Sequence, residues 1–194
     1  MREKSVEKMD ALHEKAIELI VELGFDGFSL HKLAQATGMS AGNIYTYFEN
    51  KELLLIRCYN YANFNFSTVV LRRFRPDMGL KEGLWHQWQN RYAMIRKYPI
   101  KFQFTEQFRN SPLINLHGTT NPRLRDTMLA FVKCCVEKGE LADLPEEVFW
   151  ALAYGPFYTL VNFNLRQSNM AGKPFTLSPA LLKQTFDRVL KSLA

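Results

Sequence analysis

Between residues 24 and 51 the chain carries a helix stop or start every few residues, at Gly24, Ser29, Gly38, Ser40 and Asn50. Punctuation that dense leaves room only for short helices, because each of these residue types serves a helix end better than a helix interior. Ser29 is an N-cap for a helix over residues 30–36, with Phe28 and Leu33 at the positions where two apolar side chains clamp the entering chain. Gly38 supplies a left-handed residue for a tight turn. Ser40 then caps a second helix, and Met39 and Ile44 repeat the apolar clamp. Asn50 caps a third start, from which a long helix is predicted over residues 51–73, before the breaker sequence at 75–79.

The rest of the sequence is also helical. Met9, Leu12, Ala16, Leu19, Ile20 and Leu23 recur at steps of three and four, with Glu14, Glu18 and Glu22 on another face. This predicts an amphipathic helix over residues 5–23, stopped by Gly24, with a turn at 25–28. No alternating run bounded by hairpin turns is present. Five further helices are predicted at 80–97, 99–110, 122–138, 145–167 and 179–193. Pro99, Pro122, Pro145 and Pro179 stand near their starts, where a missing N–H costs nothing. The segments 111–121 and 169–178 read as loops. The expected fold is all-α: an N-terminal three-helix domain and a C-terminal helical bundle, about nine helices in total.

With 47% apolar residues the chain can bury a core. Its charged first residues exclude a signal peptide. The longest nearly apolar run, 149–161, is too short for a membrane span and contains Gly155 and Pro156, so a soluble cytoplasmic protein without a membrane partner is expected. Three cysteines, Cys58, Cys134 and Cys135, fit no disulfide framework, and no His or Cys pair has zinc-ligand spacing. No metal and no cofactor is expected. No nucleophile elbow, phosphate-cradling glycine loop or paired histidine emerges, so no catalytic residues are assigned and an enzyme is not expected. The formal net charge of +6 is unevenly spread: residues 1–60 hold seven Lys or Arg against nine Asp or Glu, and residues 61–194 hold 18 against 10.

Two short helices joined through Gly38 make a helix-turn-helix. Its second helix has to bring its leading end close to a DNA groove, which accounts for the small residues Ala41 and Gly42 after Ser40. Asn43 offers a bidentate amide suited to an adenine edge. Tyr45 and Tyr47 suit phosphate contacts, with ordinary packing as the competing account of both rings. Phe48 locks the helix end into the core. Lys51, beside the restart at Asn50, is placed for a phosphate, and Ser29 with His31 or Lys32 is placed likewise on the preceding helix.

The pattern Gly-Phe-x-Gly-Phe-Ser-x-x-x-Leu-Ala-x-x-x-Gly-Met-Ser-x-Gly-x-Ile-Tyr-x-Tyr-Phe-x-x-Lys-Glu-x-Leu resembles the DNA-binding region of the TetR/AcrR family of bacterial transcriptional regulators, over residues 5–55. The resemblance implies an all-helical homodimer whose variable C-terminal domain pairs through its last two long helices and binds a small effector. It places Gly42, Tyr45, Tyr47 and Lys51 at DNA-facing positions, and Asn43 where members vary. Where a basic arm would stand, this chain has only Arg2, Lys4 and Lys8. Past residue 75 the resemblance is architectural.

The C-terminal two thirds are rich in rings. Trp85, Trp88 and Tyr92 recur at helical spacing, followed by Phe104, Phe108, Phe131, Tyr154 and Tyr158 on later helices. These eight residues, with His86, either fill a bulky core or line a cavity for an apolar or aromatic effector. Arg91, Arg96, Arg109, Arg123 and Arg125 read as mostly solvated. Phe149, Phe157 and Val161 on one helix, with Leu182, Phe186 and Val189 on the last, are candidates for a four-helix dimer interface. The expected division is a DNA-binding domain at 1–50 and an effector-binding and dimerisation domain at 51–194, connected by the long helix 51–73. The expected function is a ligand-responsive regulator that partners double-stranded DNA, a second copy of itself and a small effector, and is a repressor released from a palindromic operator. Two alternatives remain at this point. One is a helical small-molecule or interaction module without regulated DNA binding. The other is a redox-sensing regulator using Cys134 and Cys135.

Overall fold

The structure, a computed structural model, describes residues 2–115 and 122–193, with side chains from residue 6 onward. Among the described residues it contains nine α-helices and no strand: α1 (Arg2–Gly27), α2 (Leu30–Thr37), α3 (Ala41–Tyr45), α4 (Lys51–Val70), α5 (Leu80–Lys97), α6 (Pro99–Arg109), α7 (Pro122–Glu137), α8 (Glu146–Arg166) and α9 (Pro179–Leu193). The segment predicted as a loop at 111–121 contains a short 3-10 turn, Pro112–Asn115, and its remainder from 116 lies outside the described residues. An isolated bridge between Ser168 and Pro174 pins the loop before α9.

The stops sit where local chemistry puts them. Gly24 adopts φ 71° and breaks α1, after which one more turn runs to Gly27. Gly38 takes φ 66° after α2 and donates its N–H to Gln35, while Met39 N–H donates to the Ala34 carbonyl at 3.0 Å. The long helix from Lys51 ends at Val70, three residues short of the expected 73, because Arg73 enters the left-handed region at φ 59°. α8 runs through Pro156.

The chain packs as two units, residues 1–68 with 95–121 and residues 69–94 with 122–194. The first is closed by a core from α1 (Leu12, Ile17, Ile20), α2 (Leu33, Ala34), Ile44 and Phe48 at α3, and Leu54, Cys58 and Tyr59 of α4. Phe104 and Phe108 of α6 complete that core, with Phe108 stacked on Tyr59 at 4.3 Å between ring centroids and edge-on to Phe25 at 6.0 Å. In the second unit Trp88 is fully buried, donates its indole N–H to the Ala153 carbonyl at 2.9 Å, and packs on Phe157 and Phe186. Phe131 is fully buried edge-on to Phe74 at 5.2 Å.

Candidate nucleic-acid interface

Ser29 and Ser40 both cap as the sequence suggests: the Ser29 hydroxyl accepts the Lys32 N–H and the Ser40 hydroxyl accepts the Asn43 N–H, each at 3.2 Å. The second helix is five residues long rather than about eight, its end continuing as turns in which Tyr47 and Phe48 both donate N–H groups to the Ile44 carbonyl at 3.0 Å. One face of it is anchored, with Ile44 and Phe48 fully buried. The opposite edge is open: Ser40, Gly42, Asn43, Tyr45 and Thr46 are exposed, Tyr45 at 49%. The Asn43 carbonyl accepts the Thr46 hydroxyl, and the Asn43 side-chain amide makes no hydrogen bond among the described residues. Ala41 and Tyr47 are half-buried.

Gly42 carries the most telling geometry of the edge. It is helical with no positive φ, and a Cβ built on it would meet nothing within 4 Å. Neither backbone conformation nor packing inside the chain calls for glycine there, although glycine costs a helix up to about 1 kcal/mol against alanine.

The lysines predicted beside this edge are tied into the fold. Lys32 Nζ donates to the Gly27 carbonyl at 2.7 Å, and Lys51 Nζ donates to the Phe25 carbonyl at 2.5 Å. Both therefore tie off the broken C-terminal end of α1, where carbonyls have no helical donor. His31 is exposed on α2, and Ser29 is half-buried. Two cations that were not assigned to the site contact the turn that follows α3. Lys8 Nζ stands 5.6 Å from the Tyr47 ring centroid, and Arg57 Nη1 donates to the Tyr47 carbonyl at 3.0 Å, its guanidinium 5.7 Å from the Phe48 ring. Arg57 was missed because nothing in the α4 sequence reveals that its side chain reaches back to residue 47. The side chains of Arg2 and Lys4 lie outside the described residues.

Behind the edge sits His13, buried between the Phe48 ring at 5.9 Å and the Tyr61 ring at 5.0 Å. Neither ring nitrogen has a hydrogen-bond partner among the described residues, and desolvation holds its pKa below the ordinary histidine value despite nearby Asp10. Next to it Glu14 accepts the Tyr61 hydroxyl at 2.6 Å and pairs with Lys101 at 2.5 Å, joining α1 to α4 and α6.

The nine candidate effector-pocket residues divide between the two units. Phe104 and Phe108 are core of the first. Trp88 and Phe131 are core of the second, where Tyr154 is also buried and Tyr92, Tyr158, Trp85 and His86 are partly exposed. Arg91 is not solvated as the sequence suggested. It is 3% exposed, donates to the Tyr158 hydroxyl at 2.7 Å and lies 4.4 Å from the Tyr154 ring centroid. Burial pushes the Tyr154 hydroxyl up to about 12. An open groove of about 470 Å³ runs over Trp85, His86 and Gln89 of α5 and Lys183 and Phe186 of α9. The six candidate interface residues, Phe149, Phe157, Val161, Leu182, Phe186 and Val189, are buried within the single chain, where α8 packs on α9. The outward side of α8 shows Ala151, Gly155 and Thr159 instead.

Cys135 is buried and its thiol is pushed up to about 11, first by burial and then by Glu140. A thiol so placed is a poor nucleophile at neutral pH. Among the described residues no group of three or more His, Cys, Asp or Glu could hold a metal, and no helix is long and apolar enough to cross a membrane.

Residues 12–58 match the family described as bacterial regulatory proteins, tetR family. An uncharacterised HTH-type transcriptional regulator from Haemophilus influenzae is 22% identical over 193 residues, covering 100% of this chain and 99% of its own. The crystal structure of a TetR family transcription regulator from Marinobacter aquaeolei is similar with a TM-score of 0.78 at 23% identity, covering 100% of this chain and 99% of its own. A TetR-family regulator from Haemophilus influenzae is similar with a TM-score of 0.77 at 20% identity, covering 98% of both chains.

Proposed function

We propose that this chain, which belongs to the tetR family of bacterial regulatory proteins and is a DNA-binding transcriptional regulator, acts as a homodimeric repressor that a small apolar or aromatic effector releases from a palindromic operator. The observation that carries the DNA-reading part is the open edge of α3, where a glycine with no internal purpose stands next to an unengaged amide. In this reading residues 1–50 supply the base-reading contacts and the helix starts at Ser29 and Ser40 set the register. Asn43 reads a base edge in the major groove, Tyr45 and Tyr47 hold phosphates, and two copies meet half-sites one helical turn or a multiple apart.

Residues 51–194 carry the effector and the dimer. The outward side of α8, lined by Ala151, Gly155 and Thr159, together with the matching side of α9, is the surface offered to a second copy. The groove over Trp85 is lined by the rings of Trp85 and Phe186 together with polar groups such as His86, Gln89 and Lys183, a mix that suits an effector site. Release from DNA requires the effector to bind two spacings of the dimer with different affinity.

Selection of duplexes from a random library by the purified protein tests the reading. Enrichment of a palindrome is expected, and Asn43→Ala is expected to weaken the enriched site by about 1–3 kcal/mol and to relax one base position in each half. Enrichment of the same sequence by both proteins would remove Asn43 from base reading.

A further inference from the structure

The first unit, residues 1–68 with 95–121, is nearly neutral, with eleven Lys or Arg against ten Asp or Glu, so its overall charge gives it little attraction to a polyanion. Its cations are also mostly engaged. Lys15 pairs with Glu18, Lys101 with Glu14 and Arg109 with Glu106. Lys32 and Lys51 are held on carbonyls at the end of α1. Lys8 and Arg57 are set apart by place: both are exposed beside Tyr47 and neither makes an ion pair among the described residues, although Arg57, like Lys32, gives one hydrogen bond to a carbonyl.

Both also converge on one residue. Lys8 reaches the Tyr47 ring from α1, and Arg57 reaches the Tyr47 carbonyl from α4. The single hydrogen bond to that carbonyl fixes the guanidinium while leaving most of its donor fork unused. The ring of Tyr47 gives the ammonium a face to rest against. Tyr47 itself follows α3 directly, so the two positive groups are fixed relative to the edge that carries Gly42 and Asn43.

We propose that Lys8 and Arg57 form, around Tyr47, the phosphate clamp that holds α3 in register on duplex DNA, and that they rather than Lys32 and Lys51 supply most of the salt-sensitive part of binding. Arg57 grips a backbone phosphate through its free N–H groups and Lys8 neutralises a neighbouring one. Neither reads sequence. The inference rests on the DNA-binding reading above and names the residues that give it electrostatic strength.

The test is binding of wild type, Lys8→Gln, Arg57→Gln, Arg57→Lys, Lys32→Gln and Lys51→Gln to a duplex of random sequence and to the selected palindrome, across a salt series. Each phosphate contact contributes about 0.9 to the slope of log K against log salt. Lys8→Gln and Arg57→Gln are each expected to lower that slope by about 0.9 per half-site, equally on both duplexes, with the selected sequence unchanged. Arg57→Lys is expected to keep the slope, and Lys32→Gln and Lys51→Gln to change it by less. Weaker binding at an unaltered slope would mean that the two residues only support the fold, and would overturn the clamp. So would a slope that falls for Lys32→Gln or Lys51→Gln but not for Lys8→Gln. Lys8 makes no hydrogen bond among the described residues, so its variant keeps the test open if Arg57→Gln does not fold. A wild type that ignores duplex at low salt would refute DNA binding itself, a result distinct from any of these.

Discussion

Gly42→Ala separates what the fold requires from what its partner requires. The position is helical, φ is negative, and the added methyl would meet nothing within 4 Å. No clash offsets the helix-propensity gain, which amounts to about 0.5–1 kcal/mol for glycine to alanine and comes partly from restricting the unfolded chain. For a chain of this length that corresponds to a rise in Tm of about 1–4 °C. DNA affinity should move the other way. A methyl on the leading turn of α3 holds the backbone off the groove and withdraws Asn43 from its base, costing about 1–3 kcal/mol, the worth of one good bidentate contact. Thermal unfolding followed by circular dichroism and titration of a labelled duplex by fluorescence anisotropy measure the two effects on one preparation. A lower Tm would show that glycine serves the fold. A higher Tm with unchanged affinity would show that nothing approaches this edge, and the account of α3 would fail.

The mirror case is Gly83 in α5, where a Cβ would lie 2.4 Å from Cε2 of the fully buried Phe131 ring. Gly83→Ala should therefore destabilise by about 1–3 kcal/mol despite better helix propensity, and a melt showing equal or greater stability would contradict the packing around Phe131. His13 should make stability depend on pH in one direction. Its folded pKa lies below the ordinary value of 6.5, so between the two the unfolded chain binds more protons. That contribution is complete above the ordinary value and is lost as pH falls through it toward the folded value. Charges facing the ring are Asp10 and Glu14 on α1 and Arg57 on α4, with Tyr61 also on α4. Melts from pH 8 to pH 5 should show a steeper loss for wild type than for His13→Leu, and parallel curves would exclude the histidine as the cause.

The helix ends were legible because they are local: Ser29, Ser40 and Asn50 each bond an N–H three residues on, and Gly24 and Gly38 take the positive φ that their type permits. The open edge of α3 was legible for the same reason, since the apolar clamp of Met39 and Ile44 settles which side of so short a helix faces inward. Long side chains were not legible. Whether Lys51 reaches outward or back to Phe25, and whether Arg57 reaches Tyr47, is decided by where α1 and α3 end in space. Arg91 was misread because a buried guanidinium needs tyrosines from α8, a helix far along the sequence. The six apolar residues of α8 and α9 were assigned outward because periodicity finds an apolar face but does not say whether its partner is the same chain or another.

The core of the first unit is assembled from two stretches, and the second supplies Phe104 and Phe108. While the protein is being synthesised, everything up to α4 emerges with a gap where those two rings belong, leaving Phe25 and Tyr59 exposed until α6 follows. The helix-turn-helix is therefore not a portable cassette. A chimera that grafts residues 1–68 onto another scaffold would inherit an unfinished interior, whereas one that also carries residues 95–121 would bring the missing rings with it.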